Sequence, residues 1–429
     1  MLDFLSNRAT AAHLALAAVA PLVLCEYVST GAVGPVLVWL SVIAAVWAFM
    51  APVKLQDERT PEARCRFLSH SFSDPFFWFS AALVVYAAVV ALNSGAALTY
   101  DVELKLWKLV SPTAAMLPGS VDGAGSIHFC STLLVFALYS AVAHSLDSRQ
   151  SVYFAIVASF VVVLDAVLAY ASGVGIGGGN AVAYGLWSLV SAAAMFSAES
   201  SRRRPKELLS AMLLAGCLAA LLFTLRPVVT IVFVSAVLLL ALAFIAFRFR
   251  DLGVIGVART LLMLFVAVSI AAILYHWRSG GDWQSQVPVW GCEIDHLFNR
   301  FSVLVWEANP WTGSGLGSFP LVTKFYATPE DWAAMGPVPD FGGNGWRILL
   351  AERGMIGVLA VAGSFGAMAF SWFRYARQRG VDGISAAVPL LPIAMIAVSV
   401  VMMFDSSALQ VGAVVAFVSL AAFSINGGQ

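Results

Sequence analysis

Residues 276–345, HWRSGGDWQSQVPVWGCEIDHLFNRFSVLVWEANPWTGSGLGSFPLVTKFYATPEDWAAMGPVPDFGGNG, form one long polar interruption in an otherwise apolar chain. The stretch carries Trp277, Trp283, Trp290, Trp306, Trp311 and Trp332. Its acidic residues Asp282, Glu293, Asp295, Glu307, Glu330, Asp331 and Asp340 outnumber the basic Arg278, Arg300 and Lys324. A connection of this length exceeds a turn between two helices, and its aromatic content sets it apart from a disordered tether. The sequence therefore predicts a segment that folds over a membrane surface and covers a site.

Around this segment, a 429-residue chain is 60% hydrophobic and 11% charged, with mean hydropathy +0.87. One soluble core cannot bury that much apolar surface, so the expected fold is an all-α integral membrane protein. Apolar runs long enough to cross a bilayer fall at about 11–31, 33–53, 75–97, 126–145, 151–173, 180–198, 207–224, 228–247, 253–275, 346–373, 384–403 and 406–426. This predicts about twelve transmembrane helices: nine in residues 1–275, the large loop at 276–345, and three in 346–429.

Counting through every span puts 54–74, 146–150, Ser201–Glu207, Arg248–Arg250 and Arg374–Arg379 on one side. These hold most of the 24 Lys and Arg, which makes that side cytoplasmic. Both termini are then cytoplasmic and the protein is multi-pass. The other face holds 98–125, the GVGIGGGN stretch at 173–180, the turn at 224–227 and the large loop. The five cysteines are scattered, without the paired spacing of a disulfide framework or zinc site. GIGGGN lacks the Lys-Ser/Thr of a phosphate-cradling loop, so it reads as a bend or a close backbone approach.

Several side chains on that face invite chemistry. Arg226 lies in Thr224-Leu225-Arg226-Pro227, between two apolar spans, where an arginine needs an anion or a cavity. A phosphate or diphosphate suits its planar fork, while snorkelling to lipid headgroups is the plain structural reading. Asp165 interrupts the fifth span and reads either as half of a buried pair or as a substrate ligand. In CEIDHLFNRF, a helix would place His296 and Arg300 on one face, where the guanidinium would keep the imidazole neutral as a proton acceptor. A solvated helical face fits the same pattern.

The loop continues as NPWTGSGLGSF (309–319) and closes as FGGNGWRILLAERGMIG (341–357). Here the chain resembles the O-antigen ligase and O-antigen polymerase superfamily. The carrying residues are Pro310, Gly313, Gly315, Gly317 and Phe319, then Asn344, Ala351, Glu352, Gly354 and Gly357. Thr224-Leu225-Arg226 is similar to the family's Thr-x-Ser-Arg turn, with Leu225 in place of serine. Gly343 stands where the ligase pattern has a catalytic histidine. The family's second arginine has no single counterpart here; Arg300 and Arg278 are the candidates.

The resemblance implies a GT-C-like arrangement of the spans, and glycan transfer or polymerisation from an undecaprenyl-diphosphate-linked donor to a glycan or lipid acceptor, at the periplasmic face of a bacterial inner membrane. Membrane lipid is an implied partner and nucleic acid is not. Arg226, Arg300, His296 and Asp340 are the candidate catalytic set; with the family histidine missing, the loop offers Glu293, Asp295, His296 and Asp340 as a general base, Asp340 being nearest in sequence to Gly343. Arg278, Arg347, Asn344, Asn180, Asp165, Trp306 and Trp311 are the implied substrate-binding set. A diphosphate is already an activated leaving group, so no cofactor, nucleotide or metal is expected, and tryptophans suit sugar faces. Gly343 favours a polymerase, or a ligase-like enzyme with a different base, over a typical O-antigen ligase. A polytopic transporter is the competing class, although two related halves are not evident. A scaffold subunit would not need an arginine at a boundary turn.

Overall fold

The structure is a computed structural model. It describes residues 75–93, 97–103, 106–110, 117–120, 148–171, 180–200, 204–224, 228–246, 293–315, 318–331, 344–379 and 390–404, with Arg226 and isolated positions elsewhere. The expected spans 11–31, 33–53, 126–145, 253–275 and 406–426 lie wholly or almost wholly outside the described residues. The chain is mostly helical where it is described: α1 Pro75–Leu92, α2 Ser148–Ala171, α3 Ala181–Ser200, α4 Arg204–Phe223, α5 Val228–Ala246, α6 Glu293–Ala308, α7 Phe319–Tyr326, α8 Gly345–Arg379 and α9 Leu390–Met402. Two helical segments, Val228–Ala246 and Gly345–Arg374, are long and apolar enough to cross a membrane.

The core is built around α3. Its sequence AVAYGLWSLVSAAAMF is small or apolar on every face, and each residue from Ala181 to Phe196 is buried. A helix apolar all round belongs inside a bundle, and small residues let neighbouring backbones approach. α2, α4 and α9 pack on it. α5 reaches it through Phe233, whose ring lies over Gly185, and through Phe244, stacked on Phe196 with centroids 4.8 Å apart. Some polar groups in this core bond to one another or to backbone, whereas the Trp187 indole N–H and the Ser210 hydroxyl meet no hydrogen-bond partner among the described residues. Ser191 donates to Ser159 at 3.0 Å, and Ser188 donates to the Gly185 carbonyl at 2.6 Å. Satisfaction of this kind offsets the cost of burying a hydroxyl.

Two features depart from the expected all-α fold. The first is an antiparallel hairpin, β1 Ala97–Asp101 and β2 Leu106–Val110, with Tyr100 opposite Trp107. It occupies the predicted exterior loop 98–125 and the end of the predicted span 75–97. β1 alternates apolar and polar residues, Leu98 and Tyr100 against Thr99 and Asp101, which is the period of a half-buried strand; β2, Leu-Trp-Lys-Leu-Val, is apolar but for Lys108. The helix ends at Leu92, and the next residue ties its end to the following loop: the Asn93 side-chain amide donates to the Leu117 and Pro118 carbonyls at 3.0 and 3.3 Å. The second departure is in α8, expected as one continuous span. It is broken at Gly354, where φ is +59° and ψ −167°.

Candidate functional site

The break in α8 is filled by the glycine turn that follows α6. A broken helix strands carbonyls above the break and N–H groups below it, and buried backbone groups of this kind must find partners. Above the break, Ala351 and Glu352 carbonyls accept from the N–H groups of Ser314 and Gly315, both at 2.9 Å. Below it, the N–H groups of Met355 and Ile356 donate to the Pro310 and Trp311 carbonyls at 2.9 and 3.2 Å. Four backbone bonds thus clasp residues 310–315 to 351–356. The space is tight enough to dictate glycine. A β-carbon on Gly354 would overlap the Trp311 carbonyl, and one on Gly313, itself at φ +67°, would overlap the Glu352 backbone. Both φ values lie in the left-handed region that side chains resist.

Side chains extend the clasp. Glu352 is buried, and its Oε1 accepts from the N–H of Phe319 at 3.1 Å, so it caps α7 in place of Ser318. Ser318 instead donates to the Gly315 carbonyl at 2.6 Å and shares a bond with Ser314 at 2.8 Å. An apolar knot of Phe298, Phe301, Val305, Phe319, Val322, Ile348 and Ala351 joins α6 and α7 to the first turns of α8. The hairpin closes the outer side. The Tyr326 hydroxyl donates to the Trp107 carbonyl at 3.1 Å and accepts from its N–H at 3.2 Å. Burial raises the Tyr326 phenol pKa, and the bond to Trp107 partly offsets that.

The structure disposes the predicted site residues unevenly. Arg300, on the expected helix α6, donates to Asp331 at 2.8 Å and lies over the Phe301 ring at 5.0 Å. The Thr328 backbone N–H, together with Arg300, holds the Asp331 carboxyl below the ordinary aspartate range. Arg300 thus has a carboxylate beside it that the sequence did not point to. His296 lies one turn earlier on α6, with its side chain outside the described residues. Arg278, Asp340, Gly317 and Gly343 also lie outside them.

Asn344 is a structural hub. Its side-chain oxygen caps α8 by accepting the Arg347 N–H at 3.2 Å, its amide donates to the Met403 carbonyl at 3.0 Å, and its own N–H donates to Asn299 at 3.2 Å. Arg347 is exposed on the first turn of α8. Trp306 is half-buried, and its indole N–H meets no hydrogen-bond partner among the described residues. Trp311 is exposed.

In the bundle, Arg226 is half-buried between α4 and α5, and its carbonyl accepts the Thr230 N–H at 3.0 Å to close the first turn of α5. Asn180 is buried at the start of α3. Asp165 is buried within α2, less than two turns before Tyr170, whose ring meets Phe223 of α4 at 6.0 Å. A charged residue that the sequence reading passed over is Arg353. Its guanidinium lies within Coulombic reach of Glu352 and of Tyr86 on α1. The apolar sequence on either side of Arg353 was the available signal, since a charge so placed marks a cavity or a pair. Among the described residues no group of His, Cys, Asp and Glu is set to hold a metal ion. Neither a protein-family model nor a curated protein matches this chain.

Proposed function

We propose that this chain is a multi-pass glycosyltransferase of a bacterial inner membrane, about twelve spans in all, acting at the periplasmic face on an undecaprenyl-diphosphate-linked glycan. The observation that carries the reading is the clasp. Two short motifs of the resemblance, Pro310 to Phe319 and Ala351 to Gly354, lie some forty residues apart in sequence and meet as one unit. This supports treating them as parts of a single pattern rather than as chance matches. The clasp itself is scaffold. The chemistry belongs to the groups arrayed around it.

In this mechanism an acceptor hydroxyl attacks the anomeric carbon of the donor sugar while the bond from that carbon to the diphosphate oxygen breaks. The lipid diphosphate leaves with the electron pair. Arg226, with Arg300 or Arg278, neutralises the charge that develops on it, a role that suits a planar two-pronged donor. The hydroxyl proton passes to His296 or Asp340. Arg347, Asn180 and Asp165 supply further polar contacts, and Trp306 an aromatic face for a sugar. No nucleotide or metal enters the step. Extension of a glycan is preferred over transfer to a lipid acceptor because Gly343 replaces the ligase histidine.

The test is turnover by the purified protein in vesicles, with a lipid-linked oligosaccharide donor and either a glycan or a lipid acceptor. Lengthened glycan is the expected product, and Arg226→Lys should lose about a hundredfold or more in rate while still folding. Transfer to the lipid acceptor alone would make the protein a ligase. Unaltered turnover in both Arg226→Lys and Arg226→Ala would reduce Arg226 to a headgroup anchor.

A further inference from the structure

The two segments of α8 differ in what they expose. Between Gly345 and Arg353 the one exposed residue is Arg347. Between Met355 and Phe373 the exposed residues are Ile356, Leu359, Ala362, Gly366, Phe370 and Phe373, all apolar and spaced three or four apart. That spacing makes one stripe along one face of a helix. Leu359 is 62% exposed and Phe373 58%, too much apolar surface to leave in water along a single line. The change of character falls at Gly354.

Length agrees with chemistry. From Met355 to the exposed Arg374 there are roughly twenty residues, or about 30 Å at 1.5 Å per residue, which is the thickness of a bilayer's hydrocarbon core. The whole of α8, 35 residues, is far longer than a single crossing needs. The segment above Gly354 packs with α6 and α7, whose exposed residues, among those described, are Arg300, Val303, Glu307, Leu321, Lys324 and Phe325, and Glu330 is exposed just beyond α7. The surface above the break mixes charged with apolar residues, while the stripe below it carries no charge from Met355 to Phe373, and this change locates a membrane boundary at the break.

Trp311 sits at this level. Its carbonyl accepts the N–H of Ile356, the topmost residue of the stripe, and its side chain is 67% exposed. Tryptophan concentrates at membrane interfaces because an apolar ring and a polar N–H are both accommodated there. We propose that Gly354 marks the outer edge of the bilayer and that Trp311 is an interfacial anchor, seated against outer-leaflet phospholipid at the junction of headgroups and acyl chains. The clasp then sets the depth of the α6–α7 unit in the membrane. The inference rests on the membrane-spanning part of the proposed function and is independent of glycosyl transfer.

The full-length protein, without any substitution, is reconstituted in phosphatidylethanolamine and phosphatidylglycerol vesicles. These contain a phospholipid with a diazirine on the first few acyl carbons, and adducts are mapped by mass spectrometry after illumination. Adducts are expected on Trp311 and on the 355–359 stretch, at least tenfold above those at Glu330. In Trp311→Ala the first should fall at least tenfold and the second should persist. If 355–359 is labelled but Trp311 is no more labelled than Glu330, the anchor is refuted while the span stands, and the exposed ring faces water, a glycan or a second protein. If 355–359 is unlabelled as well, the membrane reading of α8 fails and the anchor fails with it.

Discussion

The bundle around α3 and the clasp at Gly354 bury chain in opposite ways. In the bundle, cohesion comes from volume: small and apolar side chains fill the space, and the backbone bonds along its own helices. In the clasp, cohesion comes from direction. Backbone groups from segments some forty residues apart satisfy one another, and side-chain volume is excluded. The difference predicts which region tolerates substitution. A packed apolar surface adjusts to a small change in volume at moderate cost, whereas a hydrogen-bonded backbone crossing has no compliant atoms to move.

The sharpest test compares two glycines of the same helix. Gly354→Ala must place a β-carbon on the Trp311 carbonyl at a left-handed φ, and should lower stability by more than about 3 kcal/mol. Gly366 has open space around its missing β-carbon, so Gly366→Ala should be neutral or gain up to about 1 kcal/mol from helix propensity. Thermal unfolding of the two variants in the same detergent reads the contrast. Equal midpoints would break the distinction between clasp and bundle.

Within the bundle, Gly185→Ala pushes against the Phe233 ring and should cost about 1–3 kcal/mol. Gly185→Ala combined with Phe233→Leu should recover part of that loss if volume is what matters there. In the clasp, Glu352→Gln keeps the shape but removes the charge that caps α7, for an expected loss of about 1–2 kcal/mol. Faster amide exchange at Phe319 would accompany it. No change in exchange there would assign the cap to another group.

The smallest effect belongs to the half-exposed pair of Arg300 and Asp331. Asp331→Asn should cost at most about 1 kcal/mol, because the guanidinium is largely in solvent. The folded Asp331 carboxyl titrates below its unfolded value, so its contribution is present above the ordinary aspartate pKa and disappears as pH falls through the depressed one. Wild type and Asp331→Asn should therefore differ at neutral pH and converge in acid. A gap that widens in acid would overturn the assignment.

Some of this was legible in the sequence. The helix over CEIDHLFNRF, the helices near 151–173, 180–198, 207–224 and 228–247, and the folded character of the large loop follow from periodicity and composition. The glycines at 313, 315 and 354 were noticed as a pattern, but their physical reason was invisible, since each answers to atoms on the other segment. Gly354 inside an apolar run gave no sign of a break, because hydropathy does not register backbone direction. The hairpin at 97–110 is hidden because an apolar run, read for spans, extends helix to Ala97 and leaves the two-residue period of β1 to be read as loop.

What the sequence determined by itself was where hydrophobic chain begins and ends, and that a long polar, aromatic segment interrupts it. Burial of apolar residues is a sum over local composition, so it can be read along the chain. Only the tertiary structure decided that the glycine turn closes the gap in α8, that Glu352 caps α7, that Asp331 faces Arg300 and that Asn344 ties α8 to α6 and α9. These are hydrogen bonds between groups roughly thirty to sixty residues apart. Their geometry is set by how whole helices pack, which no single stretch of the chain contains.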